Sequence, residues 1–495
     1  MGVYLFANIG NSDLHLSTDL LPHTDVPGTV RQRGEYVHEH LDELIGHIQL
    51  PLLGPTLRWL HEQDSTSNDD LHVILFASDQ KIDFTPDHER QKDTRPLAEA
   101  IRNLLSRADS AAVLGISGFS GLPKKRIRIH SIEGNPADYA NMLAFYSQEL
   151  PRLQQWIQDD DVVFLEISGG TPAMASMLVA VAVEVFGDRA HTLYVDRGAH
   201  QPYEVGVAAE LYARRTRNAL VEQIKLHAYA VAIHTLESNG TLITSDESQR
   251  ALIGALLAYA DRRLAFDFDQ ARSALIRARQ LTVGDRQARI KYWLTQLEDP
   301  DISVNLAELL HSMRIKHNFG DYADFVQRIF RFQEASFRYM AEQMGIRYSK
   351  PKQGQYIDVT WVNETTGLRD FLAAYHAPAA EKPIAVEYAG QSLNRVSLGA
   401  IVDFFVTYDA QWHEWQHTAL RLHALSKVAE LRNRGLSGHG FRGIGRFHVE
   451  EAYGATIDEL LEQLEEIYRM LFQRRVEDSP YAVLNEVLQQ LIWSR

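Results

Sequence analysis

Arg434 and His439 are separated by four residues in the stretch Leu431-Arg432-Asn433-Arg434-Gly435-Leu436-Ser437-Gly438-His439-Gly440-Phe441-Arg442, and Arg432 is separated from the same histidine by six. Gly435, Gly438 and Gly440 imply a bent backbone just after a helix, which aims arginine and histidine at a common point. Such a pair fits RNA cleavage without a metal. An imidazole titrates near neutrality and can handle the proton of a 2′-hydroxyl or of a leaving group. A guanidinium can hold the scissile phosphate through two hydrogen bonds and oppose its developing charge. The competing reading is a basic helix C-terminus, where cations suit the helix dipole in any case. Arg421, Lys427, Arg432, Arg434, Arg442 and Arg446 make this region a basic patch in a chain of net charge −15.

His413-Glu414-Trp415-Gln416-His417 matches H-E-x-x-H, which on a helix puts two zinc-ligating imidazoles on one face. A zinc protease also needs a third ligand and a cleft. No third ligand stands at a typical spacing, and Glu430 is only a possibility. The alternative is an amphipathic helix whose Trp412 and Trp415 contribute to a core. The chain has no cysteine, which excludes disulfides, cysteine-based zinc sites and a cysteine nucleophile, and fits a cytoplasmic location.

A second place for chemistry lies in residues 161–186. They read Asp-Val-Val-Phe-Leu-Glu-Ile, then Ser168-Gly169-Gly170-Thr171-Pro172, then a long Ala-rich apolar run. This is the pattern of a buried strand, a tight turn and a buried helix. Thr171 can cap the helix and Pro172 suits its first position. Gly169 and Gly170 let another backbone or a phosphate approach closely, so bulky replacements there are expected to abolish a ligand response and leave the fold intact. The free N–H groups of a helix start favour an anion. A plain βα turn is the competing reading.

The elements that must position these residues follow from the pattern. Strands are expected at residues 3–9, 71–77, 126–132, 161–167 and 190–195, with helices at 34–63 (interrupted by Pro51 and Pro55), 95–107 and from 135 through 150. Alternating strands and helices predict an α/β domain with a parallel, Rossmann-like sheet. Ligands bind such sheets at the C-terminal strand ends. Those ends carry Asn8, Gly10, Asn11, Ser12 and Asp13, then Ser78 to Gln80, then Asn135, then Ser168 to Thr171.

From about residue 208 the pattern becomes helical, with helices expected at 214–236, 246–263, 268–281, 286–297 and 319–344, and residues 313–317 as a solvated helix face. Strands are expected at 356–363 and 383–388, then helices at 398–432 and 457–474. A length of 495 residues suits about three domains. No run reaches the ~18 apolar residues of a membrane span, and no basic region precedes the first apolar residues, so no membrane association or signal peptide is expected. The acidity argues against a large general nucleic-acid surface.

Together, the two ends resemble the type III CRISPR-associated ribonucleases that join an N-terminal CARF domain to a C-terminal HEPN domain. The N-terminal resemblance rests on Asn8-Ile9-Gly10-Asn11-Ser12-Asp13, Phe76-Ala77-Ser78-Asp79-Gln80 followed by Arg90-Gln91-Lys92-Asp93-Thr94, Gly134-Asn135-Pro136-Ala137-Asp138-Tyr139, and Ser168-Gly169-Gly170-Thr171-Pro172-Ala173-Met174. The C-terminal resemblance is the R-x4-6-H spacing. The family usually has a polar residue after its arginine. Gly435 follows Arg434, whereas Asn433 follows Arg432, so Arg434 is favoured and Arg432 with Asn433 stays open.

The resemblance implies a CARF domain at 1–207, a helical connector at 208–350 and a mostly helical HEPN domain at 351–495. It implies a homodimer that binds a cyclic oligoadenylate through Asn8, Gly10, Asn11, Ser12, Gln80, Asn135, Ser168, Gly169, Gly170 and Thr171. The tetra-adenylate is favoured over the hexa-adenylate. It implies metal-independent cutting of single-stranded RNA by Arg434 and His439, with no metal, no other cofactor and no stable place in an effector complex. Two rivals remain. In a CARF-regulated metal-dependent DNA nuclease, Asp358 and Glu387 would stand on strands, although Tyr388 and Ala389 leave no lysine at the expected place. In a ligand-responsive regulator without catalysis, the C-terminal helices would bind a partner.

Overall fold

The computed structural model describes residues 2–17, 28–63, 70–196, 198–298, 301–349, 356–376, 393–435 and 441–494. The chain forms two compact units, residues 1–216 and 217–495.

The first unit contains strands β1 (Val3–Asn8), β2 (His15–Leu16), β3 (Ile48–Gln49), β4 (Leu71–Ser78), β5 (Ile127–Ile132), β6 (Val162–Glu166), β7 (Ala190–Tyr194) and β8 (Tyr203–Val205). The main sheet has the order β5-β4-β1-β6-β7-β8. Its first five strands are parallel neighbours, and β8 runs antiparallel to β7. Strands β2 and β3 form a separate antiparallel pair.

Alternation along the central strands sorts side chains to two faces. Leu5, Ala7, Val73 and Leu75 pack with Leu97, Ile101 and Leu57 on one face. Phe6, Ile74, Phe76, Val163 and Leu165 pack with Tyr146, Leu150, Leu178 and Ala182 on the other. Helices Val30–Glu39, Leu53–Glu62 and Arg95–Leu105 cover the first face, and Tyr139–Gln154 and Pro172–Phe186 cover the second. Pro55 is tolerated inside Leu53–Glu62 because it falls in the first turn, where no intrahelical bond needs its missing N–H.

The second unit is helical in its described residues, apart from one isolated bridge between Tyr348 and Ile357. The helix expected over 214–236 is two, Val207–Lys225 and Tyr229–Ile243, with His227 between them at φ +54°. Helix Ile302–Phe319 contains the segment expected to be a solvated face. In fact Met313 and Ile315 are buried, while Arg314, Lys316 and His317 reach carboxylates, Glu465 at 2.5 Å, Asp321 at 3.0 Å and Asp458 at 3.8 Å.

The strand expected at 356–363 is also corrected. After Ile357 the Asp358 carboxylate accepts from the Thr360 N–H (2.8 Å) and starts helix Val359–Glu364. Residues 383–388 lie outside the described residues. The single helix expected over 398–432 is Arg395–Tyr408, a 3-10 segment Ala410–Trp415, Gln416–Ala424 and Ser426–Arg434. Asp409 breaks it by capping the Gln411 N–H at 3.0 Å.

Two cores build this unit. Leu306, Phe325, Ile329 and Phe337 pack with Leu398, Ile401, Leu422, Leu460 and Leu464, so helices on both sides of residue 350 share one core. The last helix, Pro480–Trp493, returns to the earlier helices and packs Tyr481, Leu488 and Ile492 with Leu220, Leu256, Leu275 and Trp293.

Candidate functional site

Parallel strands bring their C-terminal ends to one edge of the first unit, and hydrogen bonds there tie the loops together. The Gly10 N–H donates to Asp13 Oδ2 at 2.6 Å. Ser168 donates its N–H to Glu166 Oε1 (2.9 Å), and its hydroxyl oxygen accepts from the Val195 N–H (2.6 Å). Thr171 caps helix Pro172–Phe186 by accepting from the Met174 N–H (3.2 Å), and its hydroxyl donates to the Pro136 carbonyl. That bond joins the loop after β5 to the loop after β6. Asn135 Oδ1 accepts from the Ala137 N–H at 2.9 Å, a local turn that shapes the same loop.

The expected ligand residues divide into three groups. Asn8 ends β1 and meets Gly169 and Gly170, Gly10 meets Gly170, and Thr171 is tied to Pro136, the neighbour of Asn135. Asn11 and Ser12 are exposed, and Asn11 Oδ1 accepts from Arg33 at 2.6 Å. Gln80 is buried and turned to Asp93, to which its backbone and side-chain N–H groups donate at 3.0 and 3.1 Å.

The glycines serve backbone contact. A Cβ on Gly169 would stand 2.3 Å from the Asn8 carbonyl oxygen and 2.8 Å from Asp13 Oδ2, and one on Gly10 would stand 2.8 Å from the Gly170 nitrogen. Gly170 has φ +77°. The expectation that bulky replacements at 169 or 170 leave the fold intact is therefore corrected, because they would push β1 and the β6 loop apart.

Beneath this contact lie three buried groups: Asn8, expected as a ligand residue, Asp13, expected at a strand end, and Glu166, which the sequence did not single out. Asn8, Asp13 and Glu166 are fully buried. Asn8 Oδ1 accepts from the Tyr146 hydroxyl at 2.6 Å. Asn8 Nδ2, Asp13 Oδ1 and Glu166 Oε2 find no hydrogen-bond partner among the described residues. Burial pushes the Asp13 carboxyl well above the usual carboxylate range, and the Glu166 charge pushes it further. Burial raises Glu166 too, against the pull of N–H groups from Ser168 and Gly169. The available signal was a charged residue closing an apolar strand.

In the second unit the basic segment follows helix Ser426–Arg434, which stops at Gly435 in extended backbone (φ −92°, ψ 174°). Asn433 is exposed. The Arg432 guanidinium lies over the Phe330 ring, 4.3 Å from its centroid, and Arg395 reaches the same ring at 5.8 Å. Arg395 donates to Gln333 Oε1 (2.9 Å) and pairs with Glu430 (3.4 Å). Glu430, the possible third zinc ligand, is thus engaged by an arginine. The side chain of Arg434, and His439 entirely, lie outside the described residues.

His413 and His417 are exposed and fall on two different elements, the 3-10 segment and the helix after it, while Trp412 and Trp415 pack against the core. Among the described residues no group of three His, Asp or Glu side chains is arranged to hold a metal ion. Asp358, a strand acid in the DNA-nuclease reading, is instead a helix cap. A part-buried trio went unpredicted: Asp403 accepts from the Tyr375 hydroxyl at 2.5 Å and pairs with His423 Nε2 at 3.0 Å. No described helix is long and apolar enough to cross a membrane.

No protein-family model matches this chain, and no curated protein does. Among solved structures it is similar to Enterococcus italicus Csm6 bound to cyclic hexa-2′-fluoro-hexa-dAMP. The similarity covers 99% of this chain and 100% of that one, with a TM-score of 0.58 and 13% identity. At that identity the likeness is one of fold: a mainly parallel six-stranded sheet followed by helices.

Proposed function

We propose that this protein is a cyclic-oligoadenylate-activated, metal-independent endoribonuclease acting on single-stranded RNA in type III CRISPR defence. The observation that carries the reading is the fold likeness along essentially the whole chain to a Csm6 that holds a cyclic oligonucleotide. The divisions 1–207, 208–350 and 351–495 are proposed as sensor, connector and nuclease, the last two built around shared cores. Two copies would pair so that their strand-end loops face one ring-shaped ligand about a two-fold axis.

On this reading residues 168–171, Gly10 and Asn135 form the floor for the ring, Asn8 supports it from beneath, and helix Pro172–Phe186 presents its positive end to phosphate. Asn11, Ser12 and Gln80 complete the ligand set. Cleavage proceeds by attack of the RNA 2′-oxygen on the adjacent phosphorus as the 5′-oxygen leaves. His439 handles the proton, and Arg432 or Arg434 opposes the growing charge on the phosphate. The products are a 2′,3′-cyclic phosphate and a 5′-hydroxyl. Activator binding favours the competent state through its differential affinity for two states. Four adenylates per ring is favoured without any residue that carries the choice, and the six-unit ring held by Csm6 makes the hexamer the second arm of any test.

Analysis of the cleaved RNA ends by mass spectrometry tests the chemistry. Cyclic phosphate and 5′-hydroxyl ends, lost in His439→Ala, are expected. 5′-phosphate ends would instead indicate metal-activated water and contradict the reading.

A further inference from the structure

We propose that Phe330 is a positioning residue for RNA cleavage: its ring face seats the Arg432 guanidinium at the end of helix Ser426–Arg434 and leaves that cation free for an RNA phosphate. The inference rests on the ribonuclease reading above.

Phe330 lies on helix Tyr322–Gln343, whose Phe325, Ile329 and Phe332 are fully buried in the unit's core. Phe330 is only half-buried and stands outside that cluster. Its ring instead meets two arginines, Arg432 at 4.3 Å and Arg395 at 5.8 Å. The two are in different states. Arg395 is satisfied by Gln333 and Glu430, and Gln333 is itself fixed by donating to the Leu422 carbonyl (2.6 Å) and to Ser426 Oγ (3.0 Å). Arg432 makes no hydrogen bond or ion pair among the described residues, and its Nε is buried without a partner.

Two carboxylates on the helices that carry Arg432 and Phe330 are committed elsewhere. Glu430, two residues away on the same helix, pairs with Arg395. Glu334, one turn from Phe330, pairs with Arg331 at 3.1 Å. A ring face attracts a guanidinium through its quadrupole and leaves the N–H edge in the guanidinium plane open. That edge is what a phosphate accepts in a two-bond contact.

The test measures activated RNA cleavage in Phe330→Leu, Phe330→Tyr, Arg432→Gln and the double variant Phe330→Leu/Arg432→Gln, with thermal unfolding of each. The expected result is a fall in kcat of about tenfold in Phe330→Leu with KM little changed and the melting temperature kept, and recovery to within about twofold in Phe330→Tyr. In the Arg432→Gln background, Phe330→Leu should have no further effect, since its role acts through that arginine. Equal rates for the Leu and Tyr variants, or an undiminished effect of Phe330→Leu without Arg432, would overturn the proposal while leaving the ribonuclease reading standing. A wild-type protein that cuts no RNA with any activator would overturn both.

Discussion

Asp13 and Glu166 are the residues whose placement most exceeds what their types announce. Both carboxyls are buried under the loops of the strand-end site, and burial holds both above the usual carboxylate range. The sign of the consequence is fixed. In the unfolded chain they ionise near pH 4, whereas the folded protein keeps protons on them to higher pH. Their stabilising contribution is therefore complete below the unfolded value and is lost as pH rises toward the raised native values. Asp13→Asn keeps an acceptor for the Gly10 N–H and removes the charge. Its melting temperature should exceed the wild type's at pH 8 and match it near pH 4. A variant less stable than wild type at pH 8 would contradict the account. Asp13 was visible in the sequence as a turn residue and Glu166 as a charge at a strand end. Their meeting was not, because it depends on β1 and β6 being neighbours, with Ala7 opposite Glu166.

At the scale of elements, what was legible and what was not divide along one physical line. The strands of the parallel sheet were found within a residue or two because each is a short β-branched or aromatic run closed by turn residues. Errors arose where a single side chain overrode periodicity: Asp358 turned an expected strand into a helix, and Asp409 broke an expected long one. Met313 and Ile315 were misread because the charges between them dominate the local composition. Helices Ile302–Phe319 and Pro480–Trp493 went unassigned although both are amphipathic or apolar enough to pack. Thr171 was read correctly as the cap of Pro172–Phe186, and its second bond, to Pro136, makes it a tie between two loops. Thr171→Ala should cost about 1 kcal/mol. In a unit of this size that lowers the melting temperature by about 2–4 °C. Thr171→Ser should retain most of it. An alanine variant as stable as wild type would show that neither bond matters.

At the scale of the whole molecule, the two ends of the chain carry separate chemistry. A glycine-built strand-end floor lies in the first unit, and an unneutralised arginine beside a glycine-rich segment lies in the second. The order of these parts was legible in the sequence, as was the helical character of residues 208–344, whereas the strand expected at 356–363 is a helix from Val359. The shared packing of helices across residue 350 and the return of the last helix to the earlier ones were not, since both depend on contacts between distant segments. The central claim is that a cyclic oligoadenylate bound at the first unit switches on metal-free RNA cleavage at the second. The most direct measurement is the rate at which the purified protein cuts labelled single-stranded RNA in excess EDTA, with no activator and with cyclic tetra- and hexa-adenylate separately. The account predicts slow cutting alone and a rise of at least about tenfold with one ring size, a coupling of about 1.4 kcal/mol or more. A rate unchanged by either ring, or activity abolished by EDTA, would contradict it.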